Sequence, residues 1–289
     1  KINILGNNVT EETVIRNQIL VDEGDPFNEI LFSKSINNIK GLNFFRDVDY
    51  NIKVDKEDKS KTIDISIEEK PTGEIFAGAG TGTNGATVSF GVKENNYLGK
   101  GLSVDTNANI SSDSIRGRFI IENPNYNNSN KSVNFSLQAS EDDKLDTYGY
   151  KSNRTGFTIG TNFEYYDDLF LGLATENFIE DINVTSKASS KQKKMAGNYL
   201  DSFISLNLNY DKRDQKFATS KGYYSFYNID LPLLSDTGTL NNTYRYKYFS
   251  ELYEGNNSSL SFLLGSSFSI NDKDIKLSER LFIPGSSLR

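Results

Sequence analysis

Three groups of carboxylates lie close enough along the chain to share a proton or a cation: Glu141-Asp142-Asp143, Asp167-Asp168, and Asp211 with Asp214. Each falls in a turn or at a strand end, where solvation or loop hydrogen bonding is the default use of an acid. The chain has no histidine and no cysteine; without histidine there is no imidazole-based metal site and no His-dependent catalytic triad. Gly78, Gly80, Gly82 and Gly85 lie on a strand and turn, not at a helix N-terminus, so they do not make a phosphate-binding loop. The expectation is a protein that is not an enzyme and has no catalytic residue, metal or cofactor. The net charge is −7 and the lysines are scattered among carboxylates, which argues against nucleic acid as a partner. Lys187, Lys191, Lys193 and Lys194 read as a solvated surface.

The chemistry left to this chain is that of backbone pairing. Ile75-Phe76-Ala77-Gly78-Ala79-Gly80-Thr81-Gly82 reads as a strand with Gly78, Gly80 and Gly82 on one face. A face without side chains cannot pack against its neighbours, so the strand pairs weakly and tolerates slippage. Two uses are open: close approach of another segment inside a lumen, or a barrel seam that opens sideways.

From Glu74 onward about eleven segments alternate apolar with polar residues. Leu102, Val104, Ala108 and Ile110 alternate with Ser103, Asp105, Asn107 and Asn109, and Val133, Phe135, Leu137 and Ala139 with Asn134, Ser136 and Gln138. Ile204, Leu206, Leu208 and Tyr210 repeat the scheme, as do Leu260, Phe262, Leu264 and Phe268. One face for lipid and one for a wet lumen is how a membrane-spanning β-barrel is written. No run approaches the roughly 18 apolar residues a membrane-crossing helix needs. Hydrophobic residues are only 36% of the chain while aromatics reach 12%, which suits strands that carry every second residue into an apolar phase. Tyr97, Tyr126, Tyr165, Tyr166, Tyr210, Tyr223, Tyr224 and Tyr253 sit near strand ends as candidates for interfacial girdles. Links are expected to alternate between tight, as at Thr83-Asn84-Gly85, and long, as at Phe178–Asn198.

The first seventy residues carry a different pattern. Lys1–Leu5 reads as a strand, and Thr10 to Thr13 as a cap and acidic first turn for a helix with Val14, Ile15, Gln18 and Ile19. A second helix runs from about Asn28 with Ile30, Leu31, Lys34, Ile36 and Ile39, stopping at Gly41. Strands Val48–Val54 and Thr62–Glu68 follow, split by the charged turn Asp55–Lys61. The order is βααββ, an α/β domain in which two helices cover one sheet and Phe44, Phe45 and Val48 are core residues. The start at Lys1, without Met or a signal segment, is expected of a piece of a longer exported protein.

The βααββ order, the Ile4-Leu5-Gly6-Asn7 opening, the segment Gly41 to Val48 and the closing Ile67-Glu68-Glu69-Lys70-Pro71 resemble a POTRA domain, the periplasmic module that precedes the barrel in outer-membrane assembly factors. Gly73 to Gly80, Glu94 to Gly101, Asn123-Pro124-Asn125-Tyr126 and Asn209 to Asp214 with Gly222 resemble the barrel of the BamA family. The end, Glu279 to Arg289, looks like that family's sixth extracellular loop, which folds back into the barrel. The resemblance implies a POTRA domain over residues 1–72 and, over 73–289, about eleven of sixteen strands of an outer-membrane β-barrel in a Gram-negative bacterium. It makes Ile75, Phe76, Ala77, Gly78, Ala79, Gly80, Thr81 and Gly82 the lateral-gate strand. It also makes Pro284, Gly285, Leu288 and Arg289 part of the loop-six motif, with Arg289 contacting lumen acids. The implied partners are unfolded outer-membrane protein clients, assembly-machinery lipoproteins and outer-membrane lipid. The implied function is insertion of β-barrel proteins by strand templating at a weak seam. A TamA-like or two-partner secretion transporter and a passive porin-like channel are the alternatives.

Overall fold

The structure, a computed structural model, describes residues 1–55, 60–82, 85–215, 219–253 and 255–281. The expected βααββ order is observed: β1 (Ile2–Leu5), α1 (Glu12–Arg16), α2 (Glu29–Gly41), β2 (Phe45–Val54) and β3 (Lys61–Glu69). The middle strand of the sheet is β3, parallel to β1 and antiparallel to β2. Its alternation puts Ile63, Ile65 and Ile67 into a core with Ile2, Ile15, Phe32, Ile36, Ile39, Phe44, Phe45 and Val48. Of the charged turn expected at Asp55–Lys61, residues 56–59 lie outside the described residues, and Asp55 N–H donates to Ser60 C=O at 2.9 Å.

Helix α1 turns Ile15 into the core with Val14 and Ile19 packed against it, as expected, while α2 buries the expected Ile36 and Ile39 but differs over its first turn. In α2 the Asn28 side chain accepts hydrogen bonds from Ile30 and Leu31 backbone N–H groups, which fixes the start and turns Phe32, Ser35, Ile36 and Ile39 inward. Ile30 is 81% exposed. The buried Ser35 is satisfied twice: it accepts from Leu20 N–H at 2.8 Å and donates to Leu31 C=O at 2.7 Å. Thr10 does not cap α1, whose N-cap is Glu11. It is buried instead against the second sheet.

Glu69, at the end of β3, closes the loop that leads to α1. Its carboxylate accepts from the backbone N–H of Asn8 and Val9 at 2.9 Å and Thr10 at 2.7 Å. Burial pushes this carboxyl up, but the hydrogen bonds from Thr10, Val9 and Asn8 outweigh it and hold it below the usual glutamate range.

The second sheet has eleven strands among the described residues, each antiparallel to its sequence neighbour, with β4 and β14 at the edges. They are β4 (Gly73–Gly82), β5 (Gly85–Tyr97), β6 (Leu102–Ser111), β7 (Ser114–Asn123), β8 (Lys131–Lys144), β9 (Tyr150–Tyr166), β10 (Leu169–Val184), β11 (Gly197–Asp211), β12 (Gly222–Leu234), β13 (Thr239–Tyr253) and β14 (Asn256–Ser269). The count agrees with the alternation in the sequence. One face carries an exposed apolar band that includes Val88, Phe90, Val92, Phe119, Leu137, Phe157 and Ile159. The other face is polar, with contacts such as Ser89 Oγ donating to Asn109 Oδ1 at 2.6 Å.

Strands β8 to β11 have 14 to 17 residues, more than the ~10 a tilted strand needs to cross hydrocarbon. Their excess lies at the end away from the first domain. The long link is therefore residues 185–196, not 178–198: Glu180 pairs with Tyr199 and Ile182 with Gly197. Beyond the lipid, water wets both faces and the alternation disappears while the ladder continues. The link holds a short helix, α4 (Ser190–Lys193), closed by a Ser189/Gln192 capping box. Links on the domain side are not uniformly short, since residues 212–221 join β11 to β12. The tight turn expected at Thr83-Asn84 lies outside the described residues.

All eight tyrosines proposed for girdles lie at the domain-side ends of strands or in the adjoining turns. Tyr97, Tyr126, Tyr165, Tyr166 and Tyr253 are exposed, and Tyr210 packs against Tyr223 with ring centroids 5.7 Å apart and planes tilted by 60°. Tyr224 departs from the set: its strand register puts it on the polar face, with the Arg213 guanidinium 5.1 Å from its ring centre.

The Glu69 environment gives a pH prediction. A carboxyl held low in the folded domain binds fewer protons than in the unfolded chain, so its stabilisation is present above the unfolded value, about 4.3, and is lost as pH falls through the folded one. Glu69→Gln should flatten this acid limb in denaturant unfolding followed across pH. An unchanged limb would mean that the three hydrogen bonds carry no net stability.

Candidate functional site

The strand β4 is an edge strand paired only with β5 among the described residues. Ile75 faces Val92, Ala77 faces Phe90 and Ala79 faces Val88, so this side continues the apolar band; Ile75 is 85% exposed. On the polar side Phe76 lies across Gly91, filling the space where a side chain at 91 would stand. Gly78 and Gly80 follow, opposite Ser89 and Thr87. A Cβ added at either position would meet nothing within 4 Å. Close approach of another segment is therefore absent among the described residues, and the missing side chains leave β4 without packing on that face. Gly82 pairs with Gly85.

The lower end of β4 is held. Thr72 Oγ1 donates to Glu94 Oε1, and Asn95 donates to Thr72 C=O through its backbone N–H at 3.4 Å and its Nδ2 at 3.3 Å. The turn after β5 then docks on the first domain. Buried Asn96 donates from Nδ2 to Thr10 Oγ1 at 2.8 Å and accepts Gly101 N–H at 2.8 Å, while Glu11 N–H donates to Gly99 C=O at 2.8 Å. Gly99 has φ +73°, and a Cβ there would overlap the Val9 carbonyl. A second contact joins Asn17 Nδ2 to Asn128 Oδ1 at 2.6 Å.

A third feature lies on the polar face at the far end. After β14 the chain turns back over the sheet, and the Lys276 side chain is 1% exposed. Its ammonium pairs with Asp201 of β11, with Glu279 at 3.1 Å and with Glu180 of β10 at 3.6 Å. Tyr199 places its ring centre 4.6 Å from the same ammonium. Glu180 also accepts from Ser152 at 2.8 Å and Ser278 at 2.7 Å, and Glu279 accepts from Thr237 at 2.9 Å and from Thr239. This arrangement was not visible in the sequence. The inward register of Glu180 and Asp201 was the available signal, and reading 178–198 as a loop concealed it.

Residues 96–289 match the family model described as the Omp85 superfamily domain, and residues 1–70 match the POTRA model described as a surface antigen variable number repeat. The chain belongs to the Omp85 superfamily. Among characterised proteins it is similar to the outer membrane protein assembly factor BamA of Neorickettsia risticii (strain Illinois), with 27% identity over 77% of this chain and 30% of that protein. The BamA of Neisseria meningitidis serogroup B is 22% identical over 65% of this chain and 24% of its own length. The chain thus spans less than a third of these relatives. Among solved structures, BamA from Haemophilus ducreyi lacking POTRA domains 1–3 superposes with a TM-score of 0.76 at 17% identity, covering 92% of this chain and 56% of that one. CdiB from Acinetobacter baumannii gives 0.57 at 10% identity, covering 99% and 55%.

Within this Omp85 fold, the expected gate strand Ile75 to Gly82 is the β4 edge. Pro284, Gly285, Leu288 and Arg289 lie outside the described residues. The segment that leads to them does enter the polar side of the sheet, and it buries Lys276 there.

The docked turn gives a second prediction. Asn96→Ala leaves Thr10 Oγ1 and Gly101 N–H without their buried partner, at a cost of about 1–3 kcal/mol. Pulsed spin-label distances between the POTRA domain and the β5–β6 turn should broaden in this variant. A distribution as narrow as in the parent would show that the turn is held by packing alone.

Proposed function

We propose that this chain is part of an outer-membrane insertase, a protein that assembles other β-barrel proteins into the outer membrane. The observation that carries this reading is β4, at the sheet edge among the described residues, anchored at its base through Thr72, Glu94 and Asn95 and lacking side-chain packing at Gly78 and Gly80. Unpaired strand groups are costly in lipid. A client strand arriving at such an edge gains backbone hydrogen bonds that do not depend on its sequence. A weakly packed edge can receive the client and let it go. The reading places the POTRA domain in the periplasm and the link 185–196 outside the cell. Unfolded outer-membrane proteins are the clients, and accessory lipoproteins and outer-membrane lipid are the further partners.

The likeness to CdiB supports a related transporter as the second reading, with a lower TM-score than the likeness to BamA. A passive channel fits less well. A porin lumen is open to water, whereas here a chain segment with a buried lysine occupies the polar face.

The space at Gly78 and Gly80 makes the test clean. A Cβ at either position meets nothing within 4 Å and valine has higher strand propensity than glycine, so the barrel itself should fold at least as well. In the full-length protein Gly78→Val with Gly80→Val should lower the folded amounts of unrelated outer-membrane barrels several-fold while the variant's own folded level is kept. Normal assembly of those barrels would remove the gate from the reading, and loss of a single secreted substrate would favour the transporter.

A further inference from the structure

We infer that Lys276 is the positioning residue for the segment that follows β14, locking it to the wall made by β10 and β11. The inference deepens the insertase reading and rests on it for its functional consequence.

A lysine is almost never fully buried unless it is paired. Here the ammonium is received by carboxylates from two strands, Glu180 and Asp201, and by Glu279 three residues along its own segment. Two of these carboxylates are held by further hydrogen bonds from the wall. Glu180 is oriented by Ser152 of β9, and Glu279 by Thr237 and Thr239 at the start of β13. The site is thus assembled from β9, β10, β11 and β13. Further contacts extend it to β14: Ser267 Oγ donates to the Glu279 carbonyl at 3.3 Å, and Arg280 Nε donates to the Ile275 carbonyl at 3.1 Å, stiffening the turn.

The charge balance makes the lysine decisive. Three carboxylates meet one ammonium in a site closed to water. Without Lys276, three like charges would share the pocket with no other cation at ion-pair distance among the described residues, and breaking a buried pair from one side is far more damaging than removing both partners. The cheapest relief is for the segment to withdraw, taking Glu279 with it and letting water reach Glu180 and Asp201. The sheet order places this lock well away from β4: β10 is six strands along from it. The wall from β9 to β14 is thereby the braced part of the sheet, and compliance is left to the glycine-bearing edge.

The experiment uses the full-length protein in its membrane, with tryptic cleavage after Arg280 as the readout of segment release and heat-modifiable gel mobility as the readout of barrel folding. Lys276→Met should fold and be cleaved at least about 10-fold faster than the parent, whereas Lys276→Arg, which keeps the charge, should restore much of the protection. Adding Asp201→Asn to Lys276→Met removes one of the repelling carboxylates and should slow cleavage again. That coupling is specific to the ion cluster; a general packing defect would make the double variant worse. If Lys276→Met alone gives no folded barrel, the same pair is read as folded yield, and recovery in the double variant supports the lock. Cleavage of Lys276→Met at the parent rate, or a double variant no better than the single in either readout, overturns it. Unrelated outer-membrane barrels are followed in parallel. Segment release with normal assembly keeps the lock and counts against the insertase reading, whereas release with lost assembly supports both.

Discussion

A strand in lipid must have its N–H and C=O groups paired, because hydrocarbon offers no substitute for the missing partner. Every strand of the large sheet from β5 to β13 meets this with a neighbour on each side, in sequence order and antiparallel. The edge β4 meets it on one side only among the described residues. The strand β4 also differs from the others in how its two faces and its base are held. Its base is tied to β5 through Thr72, Glu94 and Asn95, its apolar face continues the lipid-facing band, and its polar face is left bare at Gly78 and Gly80. Backbone pairing is kept while side-chain packing is withheld, so the strand is held in register at the bottom and weakly along its length.

The POTRA domain takes part in this arrangement through local chemistry. Glu69 organises the loop from Asn8 to Thr10, Thr10 is buried against Asn96, and Asn96 shapes the turn after β5. The path from the end of β3 to the start of β4 is three residues, 70–72. A short connection and a docked turn together hold the domain against the turns after β5 and β7. Force or displacement applied to the domain would reach β4 and β5 first.

Much of this was legible in the residues. The period of two came through wherever one face met lipid and the other the lumen, which is why eleven strands could be counted. It failed where β10 and β11 rise past the lipid: with water on both sides, Asp181, Asn183 and Asn198 look like loop although they lie on a hydrogen-bonded ladder. Helix α2 buries Ile36 and Ile39 as the pattern implies, but its first turn does not follow it: Ile30 and Leu31 attract attention as apolar residues while the Asn28 cap sets the phase that buries Phe32. Thr10 reads as a helix cap because capping is local, and its true partner, Asn96, is 86 residues away. The lysine lock was illegible for the same reason. Lys276 and Asp201 are separated by 75 residues and Ser278 and Glu180 by 98, so only the barrel's curvature and register bring them together.

The two ends of the sheet therefore use opposite means. Around Lys276 the contacts are charged, buried and multiply hydrogen-bonded, and such networks are costly to break one partner at a time. Along β4 the contacts are backbone hydrogen bonds with little side-chain surface to reinforce them. If the barrel deforms, it will do so where the cost per displaced residue is lowest, and that is the glycine-bearing edge. An insertase needs both properties in one sheet: a compliant edge that accepts and releases strands, and a braced wall that keeps the remaining ladder paired while it does so. A channel has no use for the first, and a uniformly stiff barrel could not exchange strands at all.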